Sequence, residues 1–595
     1  MSEAGQTRLE VEAGGFESLL RRLPLFQGLN PESLAAVAAR LEWFSLPGGA
    51  TLFRQGDEPD ALYIVISGSL GAYVVGAGER PLLVGRITAG EILGEMALIS
   101  GRHRTATVRA IRDCELLRFV REDFAELMAT QPSAMLHLSR LVVQRLEDAN
   151  SRRPARASTR TFAVLPHGPE TDVADFARAL AAALGRFGSA ECVTRAEGQY
   201  QTTEWFHRIE AGRDFIVYQA DWEPSAWTRL CLRQADGIVL AAKARHRASS
   251  FPGLDALAER RTADRRVDLV LLHEGFAPPS GSAAWLALQP VEMHHHVTGA
   301  ESIARLARIL TGRGMSLVLS GGGARGFAHL GIIKAMRSAG LPIDLVGGTS
   351  MGAVVGAGLA ADWSDEEMRE RYRRSFVATN PLGDFTLPIV ALVSGRKVSR
   401  LLHGEFGAVQ IEDLHRSFFC LSANLTRGEA SVHRTGLLWR WLRAAVAIPG
   451  ILPPVFDRGE VFVDAGAMNN LPVDVMRGLN PGTVIGVDVG ADTAFTASTE
   501  EVDMPPIWRL LWSRQRKQRP NILQILLRAG TVNGGQQSLR IREQADIILK
   551  PPMQNIDMLN WRSFDQAIAA GYDYAMRRLE TEIDDLRARV GLGAP

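Results

Sequence analysis

The hydrophobic pattern of this chain changes its period along the sequence. Between residues 24 and 126, short apolar runs are separated by turn sequences such as Gln55-Gly56-Asp57 and Ser67-Gly68. Short strands bounded by such turns are typical of an antiparallel β-roll or barrel. The pattern predicts five strands in this part of the chain: Ala61–Ile66, Leu70–Val75, Leu82–Ile87, Ala106–Ala110 and Glu115–Phe119.

A helix and a linker are predicted to follow the roll. Apolar residues between Met135 and Leu146 recur at helical spacing, which indicates an amphipathic helix. Residues 150–160 are polar and basic and lack an apolar period, as expected for a linker. We therefore predict a tail over 1–23 and a roll with its C-terminal helix over 24–149.

From Thr161 onward, apolar strand-like runs alternate with helical patterns such as Val173–Leu184. This alternation predicts a parallel sheet with helices on both faces. The same rhythm resumes at Met315, so we predict a Rossmann-like α/β middle region over 161–312, an α/β catalytic region over 313–490 and a helical extension over 491–595. The middle-region strands are predicted at Phe162–Leu165, Phe215–Tyr218, Gly237–Ala241 and Val267–Leu272.

Composition and charge narrow the class of protein. The 595 residues include 67 Lys and Arg against 66 Asp and Glu, a balance that argues against a globally basic nucleic-acid-binding protein. No helix-turn-helix pattern follows the roll, which also argues against DNA binding. The four cysteines are widely spaced without a CxxC pair, which favours a reducing compartment. No apolar stretch reaches the ~18 residues of a spanning helix, so we expect a cytoplasmic protein that meets a membrane only at its surface.

The strongest chemical signal is a Gly-x-Ser-x-Gly sequence between a predicted strand and a small-residue helix. Gly348, Ser350 and Gly352 occupy its fixed positions. In this setting glycines allow a tight turn that exposes the serine hydroxyl, the arrangement of a nucleophile elbow. We therefore predict that Ser350 is a nucleophile, while a structural turn is the alternative.

A glycine-rich loop precedes this elbow and allows two interpretations. Its Gly-x-Gly-x-x-Gly pattern, with Asp344 downstream, is compatible with a dinucleotide site, although Asp344 begins the next strand and does not end it. The alternative is an oxyanion hole, because amides without Cβ obstruction can point at a tetrahedral oxyanion. The residues predicted to form this hole are Gly321, Gly322, Gly323, Arg325 and Gly326.

The predicted base is Asp464, which ends an apolar strand and begins a loop rich in Gly and Asn. An α/β-hydrolase triad would place an acid and then a histidine after the serine, but none of the later histidines, His403, His415 and His433, lies in a late turn after such an acid. An Asx turn that caps the strand is the alternative role for Asp464.

Together the glycine loop, the elbow and the Asp464-Ala465-Gly466 sequence resemble the patatin-like phospholipases. The resemblance implies a Ser–Asp dyad without histidine, with Ser350 as nucleophile and Asp464 as base, and no required cofactor. Ala465 stands where the family usually has glycine, so a left-handed backbone at this position would be strained and activity would suffer.

The roll contains a short sequence that is able to hold a cyclic phosphate. Glu95 follows Gly94, and Arg104 lies nine residues after Glu95, between two predicted strands. A surface Glu and Arg on any β-roll are the alternative. The segment resembles the phosphate-binding cassette of cyclic nucleotide-binding domains over about residues 24–145, with His103 in place of a common proline. This resemblance implies contacts from Gly94, Glu95, Met96, Ala97, Arg104 and Thr105 to a cyclic nucleotide.

The order of a roll, an α/β middle region and a patatin-like domain is similar to that of neuropathy target esterase-type lysophospholipases. The resemblance extends over about residues 24–575 and implies hydrolysis of fatty acyl esters of lysophospholipids or phospholipids, with a cyclic nucleotide as a possible effector. The alternative is a nucleotide-responsive lipid-binding scaffold with an inactive hydrolase domain. The middle region has no P-loop sequence, which favours a structural or coupling role.

Three further segments carry expectations. The segment Ile507–Arg519 contains five basic residues and two tryptophans, which is typical of a membrane-surface helix or of a helix packed on the hydrolase. His294-His295-His296 is expected to form a polar loop, and no metal site is predicted. The apolar segments 437–442 and 448–455 are expected to contribute to an acyl-chain pocket or, for most of their residues, to the core.

Overall fold

The computed structural model describes residues 29–75, 81–131, 160–168, 171–249, 265–275, 277–490 and 542–592, with scattered positions within 20–26 and 135–143. The chain divides into two compact units. The first consists of Met1–Leu272 with Leu288–Met293 and Leu310–Gly312, and the second of the other residues. Most of the predicted linker, most of the predicted helix Met135–Leu146 and the basic segment Ile507–Arg519 lie outside the described residues. None of the described helices is long and apolar enough to cross a membrane.

The N-terminal part of the first unit is a roll of two four-stranded antiparallel sheets, with orders β1-β8-β3-β6 and β2-β7-β4-β5. Its strands are β1 (Glu42–Leu46), β2 (Thr51–Phe53), β3 (Ala61–Ser67), β4 (Ser69–Val74), β5 (Leu82–Thr88), β6 (Ile92–Leu93), β7 (Thr107–Ala110) and β8 (Cys114–Val120). Its helices are Pro31–Ala38, Glu95–Ser100 and Arg121–Thr130. All five predicted strands are confirmed. The other three strands are short or half-exposed, which explains why no apolar pattern marked them.

Strand β3 illustrates why some strands are continuously apolar. Leu62 and Ile64 lie in one core cluster of the roll, whereas Ala61, Tyr63 and Val65 lie in the other. Because successive side chains of a strand point to opposite faces, β3 is buried on both sides. Its sequence therefore shows an apolar run instead of an alternating pattern.

The second part of this unit is a parallel sheet in which β9 is central, with the order β10-β11-β9-β12-β13. The strands are β9 (Thr161–Pro166), β10 (Ala190–Val193), β11 (Phe215–Gln219), β12 (Gly237–Lys243) and β13 (Arg266–Leu272). The helices are Ala174–Leu184, Arg195–Gly198, Thr203–Gly212 and Ala226–Gln234. The predicted parallel α/β architecture is confirmed, and buried strands account for the apolar runs.

A buried charge network joins the roll to this parallel sheet within the first unit. The Arg112 guanidinium donates through Nε to Asp236 at 2.9 Å and through Nη1 to Glu210 at 2.9 Å. Asp236 also accepts hydrogen bonds from the hydroxyls of Ser69 and Thr161. Arg112 and Asp236 are both buried, so each charge depends on its partner.

The second unit is built on an eight-stranded mixed sheet with the order β19-β20-β17-β16-β15-β21-β22, and β18 pairs with β17. The strands are β15 (Met315–Leu319), β16 (Leu345–Thr349), β17 (Ser417–Asn424), β18 (Glu429–His433), β19 (Val455–Asp457), β20 (Glu460–Asp464), β21 (Thr483–Val487) and β22 (Ile547–Leu549). The α-helices of this unit are Ser282–Leu286, Ala300–Leu310, Ala328–Ser338, Met351–Ala360, Asp365–Tyr372, Arg396–Phe406, Leu438–Ala445, Val473–Leu479, Phe564–Glu580 and Ile583–Arg589. Strands β15, β16, β17, β21 and β22 are parallel, whereas β18, β19 and β20 run antiparallel to their neighbours.

The predicted helical extension over 491–595 is wrong for residues 542–592, because they contribute a strand to this second sheet as well as helices to its helical layer. Strand β22 pairs in parallel with β21 at the edge of the sheet. Helix Phe564–Glu580 packs on helix Ala328–Ser338 with their backbones in close contact. A Cβ atom at Gly331 would lie 2.6 Å from the Tyr572 amide nitrogen, and one at Gly571 would lie 2.9 Å from the Ala328 carbonyl carbon. Glycine at both positions therefore permits the contact.

The expectation of a polar loop at His294–His296 is wrong, because these residues lie in strand β14 (Met293–Val297). The Nε2–H groups of His294 and His296 donate to the Glu412 carbonyl oxygen at 2.8 and 2.9 Å. Burial lowers the pKa of His294 to about 4 and that of His296 well below its ordinary value. Neutral imidazoles with hydrogen-bond partners are compatible with a buried strand. No metal-binding group of His, Cys, Asp or Glu occurs among the described residues.

Candidate active site

The glycine-rich loop follows β15 and lies beside the predicted nucleophile. A Cβ atom at Gly321 would lie 2.7 Å from Asn470 Oδ1 and 2.8 Å from the Ser350 Cβ. Gly323 has φ +56°, and a Cβ atom at this position would overlap the Met558 carbonyl oxygen. Glycine is therefore required at both positions. At Gly321 the reason is the close approach of neighbouring atoms, and at Gly323 the positive φ is a second reason.

Ser350 lies in a tight turn between β16 and helix Met351–Ala360. Its φ of 54° and ψ of −126° are unusual for a residue with a side chain. Such backbone strain costs on the order of 1–3 kcal/mol and is concentrated at functional sites. A Cβ atom at Gly348 would lie 2.8 Å from the Gly352 carbonyl carbon, and one at Gly352 would lie 2.6 Å from the Ser320 carbonyl oxygen. The predicted nucleophile elbow thus has the backbone geometry of such a turn.

The register of the second sheet brings Ser350 and Asp464 to the same end of strand β17. Thr349 pairs with Leu421 of β17, and Asp464 pairs with Ser422, the next residue of that strand. The Ser350 hydroxyl lies within hydrogen-bonding reach of the Asp464 carboxylate. Two residues 114 positions apart in the sequence therefore meet because β16 and β20 both flank β17.

Asp464 is a buried carboxylate with an elevated proton affinity. Burial raises its pKa to about 6, while hydrogen bonds from Ser350 and from the Gly466 amide act in the opposite direction. The Gly466 N–H donates to Oδ1 at 2.8 Å and so fixes the orientation of the carboxylate. A carboxylate that titrates close to neutrality beside a serine hydroxyl is suited to act as a general base.

Ala465 occupies its position without backbone strain. It begins a short 3₁₀ turn, Ala465–Ala467, and it is fully buried. Among the described residues, the non-glycine positions with positive φ are Ser350, Asp362, Asn380 and Arg458. Ala465 is thus outside the left-handed region, and the strain that would have impaired the site does not arise.

Two of the five glycine-loop residues predicted to form the oxyanion hole present amides that face no acceptor among the described residues. These are Gly322 and Gly323, whereas the Gly321 amide donates to Asn470 Oδ1 at 3.1 Å. Arg325 is half-buried, and its Nε donates to the Ile556 carbonyl oxygen at 2.6 Å. Burial lowers the pKa of Arg325. Its guanidinium thus anchors the loop.

Asn470 is a site residue to which the sequence analysis gave no role. Besides accepting from the Gly321 amide, its Nδ2 donates to the Gly321 carbonyl oxygen at 3.3 Å. The preceding residue, Asn469, accepts at its carbonyl oxygen from the Thr349 hydroxyl at 3.0 Å. The segment after Asp464 thus connects the glycine loop to the end of the elbow strand. The only sequence signal for this role was the Asn-Asn pair itself.

Gly326 and Asp344 have structural roles: Gly326 allows close packing, and Asp344 forms a buried ion pair. A Cβ atom at Gly326 would lie 2.9 Å from the Met351 Cβ, so this glycine allows the loop to pack on the elbow helix. Asp344 is buried and forms an ion pair with Arg308 at 2.8 Å, and it accepts a hydrogen bond from the Met315 amide. Because Asp344 is fully engaged at the opposite end of β15, it is not placed to bind a ribose, which disfavours the dinucleotide interpretation.

An apolar cavity that is partly open to solvent adjoins Ser350. Ile448 and Leu452 of segment 448–455 line it, whereas Leu438 and Leu442 of segment 437–442 belong to the core. The lining residues are Gly323, Ser350, Met351, Val354, Phe376, Pro381, Leu382, Val398, Leu402, Val446, Ile448, Leu452, Met558, Leu559 and Trp561. A site with one nucleophile in an apolar wall is suited to a ligand with a hydrocarbon chain.

In the roll, Arg104 contacts one of the other predicted cassette residues, Gly94. Its buried guanidinium donates through Nη1 to the Gly94 carbonyl oxygen at 3.0 Å and through Nη2 to Asp60 at 2.9 Å. It also lies over the Phe53 ring, 4.2 Å from the centroid. Glu95 is buried at the start of helix Glu95–Ser100. Arg104 thus has internal partners in this conformation.

The remaining cassette residues differ in exposure. Ala97 is buried, whereas Met96 and Thr105 are exposed. The Met96 and Thr105 side chains are therefore accessible to a ligand that binds at the predicted cassette.

Family models match three segments of the chain. Residues 43–131 match a model described as "Cyclic nucleotide-binding domain", residues 158–309 a "Neuropathy Target Esterase family P-loop like domain", and residues 317–477 a "Patatin-like phospholipase". The middle segment contains no Gly-Lys-Ser or Gly-Lys-Thr sequence, so its likeness to P-loop proteins does not include the phosphate-binding motif.

Curated relatives match nearly the whole chain. The lysophospholipase nte1 of Aspergillus fumigatus is 28% identical over 95% of this chain and 43% of that protein. Patatin-like phospholipase domain-containing protein 6 of Homo sapiens is 29% identical over 96% of this chain and 47% of that protein. The chain thus spans less than half the length of these two relatives.

A mycobacterial relative is matched along almost its full length. This uncharacterised NTE family protein of Mycobacterium tuberculosis is 32% identical over 96% of this chain and 97% of that protein. The extent of that match, together with the three family models in the same order, shows that the chain belongs to the neuropathy target esterase (NTE) family.

Proposed function

We propose that the chain is a serine esterase that hydrolyses fatty acyl esters of lysophospholipids or phospholipids. The observation that carries this proposal is the Ser350 hydroxyl within reach of the buried Asp464 carboxylate, at the wall of an apolar cavity. The fungal relative is named a lysophospholipase, which agrees with this substrate class. The reaction requires no cofactor.

In the proposed mechanism, Asp464 accepts the Ser350 hydroxyl proton as the serine oxygen attacks the ester carbonyl carbon. The amides of Gly322 and Gly323 stabilise the oxyanion, and the positive end of helix Met351–Ala360 adds to this stabilisation. Collapse of the tetrahedral intermediate transfers the Asp464 proton to the leaving alcohol. Water, deprotonated by Asp464, then attacks the acyl-enzyme, and collapse of this second intermediate returns the proton from Asp464 to the Ser350 oxygen and releases the fatty acid.

Two experiments test this proposal. We expect a fluorophosphonate probe to label the wild-type protein but not Ser350→Ala, because the probe reacts only with an activated serine. Asp464→Asn should label far more slowly, since the base is lost. With lysophosphatidylcholine as substrate, the wild type should release free fatty acid and both variants should not. An unlabelled wild-type protein would favour a lipid-binding scaffold with an inactive hydrolase domain.

We also propose that the roll binds a cyclic nucleotide through Gly94–Ala97 and Arg104, and that binding modulates hydrolysis. A cyclic phosphate at Arg104 would have to compete with Asp60, which already accepts from the same guanidinium. Neutralising Asp60 should therefore strengthen binding, because the released guanidinium can pair with the phosphate.

This second proposal is tested by calorimetric titration of cAMP and cGMP. Asp60→Asn should bind more tightly than wild type, and Arg104→Leu should not bind. Absence of binding by the Asp60→Asn variant would exclude the roll as a cyclic nucleotide sensor. The rate of fatty acid release, measured with and without the nucleotide, then shows whether binding changes hydrolysis.

A further inference from the structure

The second unit exposes an unusual run of apolar side chains. Residues 385–390, Phe-Thr-Leu-Pro-Ile-Val, are all exposed. The relative exposures of the four large apolar residues are 78% for Phe385, 74% for Leu387, 81% for Ile389 and 64% for Val390. No other six-residue stretch of the described chain holds more than two exposed large hydrophobic residues. An exposed cluster of this kind marks an interaction surface.

The base of this apolar loop is held in place. Phe385 forms an isolated β-bridge with Val393, and the Thr386 amide donates to the Leu392 carbonyl oxygen at 3.1 Å. Below the bridge, the Asp384 carboxylate accepts from the Ser394 hydroxyl at 2.6 Å. The backbone of the loop therefore presents the apolar side chains outward from a fixed base.

The loop is continuous in sequence with the wall of the acyl cavity. Pro381 and Leu382, which Gly383 and Asp384 separate from the loop, line the cavity. Val398 and Leu402, shortly after it, also line the cavity. The chain thus passes from the cavity wall to the apolar loop and back, so short segments on both sides connect the loop to the cavity wall.

Basic residues follow the loop at the start of helix Arg396–Phe406. Arg396 and Arg400 are exposed, and Lys397 is half-exposed. Asp384 is the only acidic residue between positions 380 and 400, and its carboxylate is bonded to Ser394 and to the Lys397 amide. Apolar side chains beside exposed cations match the acyl and phosphate layers of an anionic membrane surface.

We propose that Phe385–Val390 inserts into the interface of an anionic phospholipid bilayer and positions the cavity to receive an acyl chain from it. This inference rests on the proposed function, because a lipid-hydrolysing site needs access to lipid. The apolar residues occupy the boundary between headgroups and acyl chains, and Arg396, Lys397 and Arg400 contact phosphate groups.

The test is co-sedimentation with vesicles of phosphatidylcholine and phosphatidylglycerol in equal amounts. The double variant Leu387→Asp with Ile389→Asp should bind at least about tenfold more weakly than wild type, because charged side chains do not partition into the interface. Phe456→Asp is the matched control, since Phe456 is a comparably exposed residue of the same unit at 65%. This control should bind like wild type.

Hydrolysis of a soluble short-chain ester provides the readout of folding, and the double variant should retain it. Ser350→Ala should bind vesicles like wild type although it hydrolyses nothing, so failure of the proposed function and failure of this inference are distinguishable. Three results would each overturn the inference: no vesicle binding by wild type, equal binding by wild type and the double variant, or equal loss in Phe456→Asp. A double variant that changes only the oligomeric state would assign the loop to contact between copies of the chain.

Discussion

At the scale of single residues, the pKa of Asp464 determines the pH dependence of the proposed reaction. Burial raises this pKa to about 6, and only the ionised carboxylate can accept the Ser350 proton. We therefore expect kcat/KM for a soluble ester to rise with pH through a midpoint near 6 and to level off above it. A profile measured from acidic to mildly alkaline pH checks this expectation. An activity independent of pH across this range would contradict the role of Asp464 as base.

The same carboxylate should reduce the stability of the fold at neutral pH. In the unfolded chain Asp464 loses its proton near 3.8, whereas in the folded protein it does so near 6. The contribution of this group to the free energy of unfolding therefore decreases as the pH rises from about 4 to about 6 and stays low above it. Asp464→Asn should thus be more stable than wild type at pH 8, by about 1–3 kcal/mol.

Denaturant unfolding of both proteins at pH 8 and at the lowest pH at which both remain folded measures this difference. The difference in free energy of unfolding between the asparagine variant and wild type should diminish at the acidic pH. At that pH, Asp464 is increasingly protonated in both the folded and the unfolded wild-type protein. A constant difference at all pH values would indicate a packing effect instead of a buried charge.

At the scale of secondary-structure elements, Asn470 connects the loop after β20 to the loop after β15. Its side chain exchanges two hydrogen bonds with the Gly321 backbone, next to the proposed oxyanion donors. Removing these bonds in Asn470→Ala should let the glycine loop shift, and small displacements of catalytic groups are costly. We expect kcat to decrease by about ten- to a hundredfold with little change in KM.

A matched control exists at the other end of β15. Asn480 is buried, whereas Asn470 is half-buried, and the Asn480 Nδ2 donates to the Gly314 carbonyl oxygen at 2.8 Å and to the Ser316 hydroxyl at 2.6 Å. Asn480→Ala should lower the thermal stability without lowering kcat of the folded protein. If both variants lose kcat equally, Asn470 stabilises the sheet and does not position the loop.

Elements with a strong local pattern could be predicted from the sequence, but their partners could not. The parallel strands and the elbow at Ser350 were recognisable because buried strands are apolar and because the turn requires glycines. Strand β14 was missed because three histidines read as polar, although hydrogen bonds to the Glu412 carbonyl make two of them compatible with burial. The pairing of Asn470 with Gly321 depends on strand register, which no local pattern specifies.

At the scale of the whole molecule, the buried charge network at Arg112 connects the roll to the parallel sheet. A substitution of Arg112 therefore tests whether these two parts of the first unit fold together. Arg112→Ala would leave Asp236 and Glu210 without their cationic partner in a buried position. Breaking such a pair typically costs about 3–5 kcal/mol, so the first unit should unfold at a clearly lower temperature. Thermal unfolding measured by calorimetry checks this expectation.

The control for Arg112 is Arg178→Ala. Arg178 forms an exposed ion pair with Asp175, and such pairs contribute at most about 1 kcal/mol. Fluorophosphonate labelling of Ser350 reports separately on the second unit and should persist in both variants. Equal melting temperatures for Arg112→Ala and wild type would show that the two parts of the first unit do not depend on each other through this network.

The position of residues 542–592 makes the cavity wall of the second unit discontinuous in sequence. The match to patatin-like phospholipases ends at residue 477, yet Met558, Leu559 and Trp561 line the cavity. The Met558 carbonyl oxygen also accepts from the Ala324 amide at 2.8 Å, within the glycine loop. A gene truncated after residue 490 would therefore encode the elbow and Asp464 but only part of the cavity wall, and it would lack strand β22 and helix Phe564–Glu580. Restoring that wall would require fragment complementation, with a peptide covering 542–592 supplied in trans.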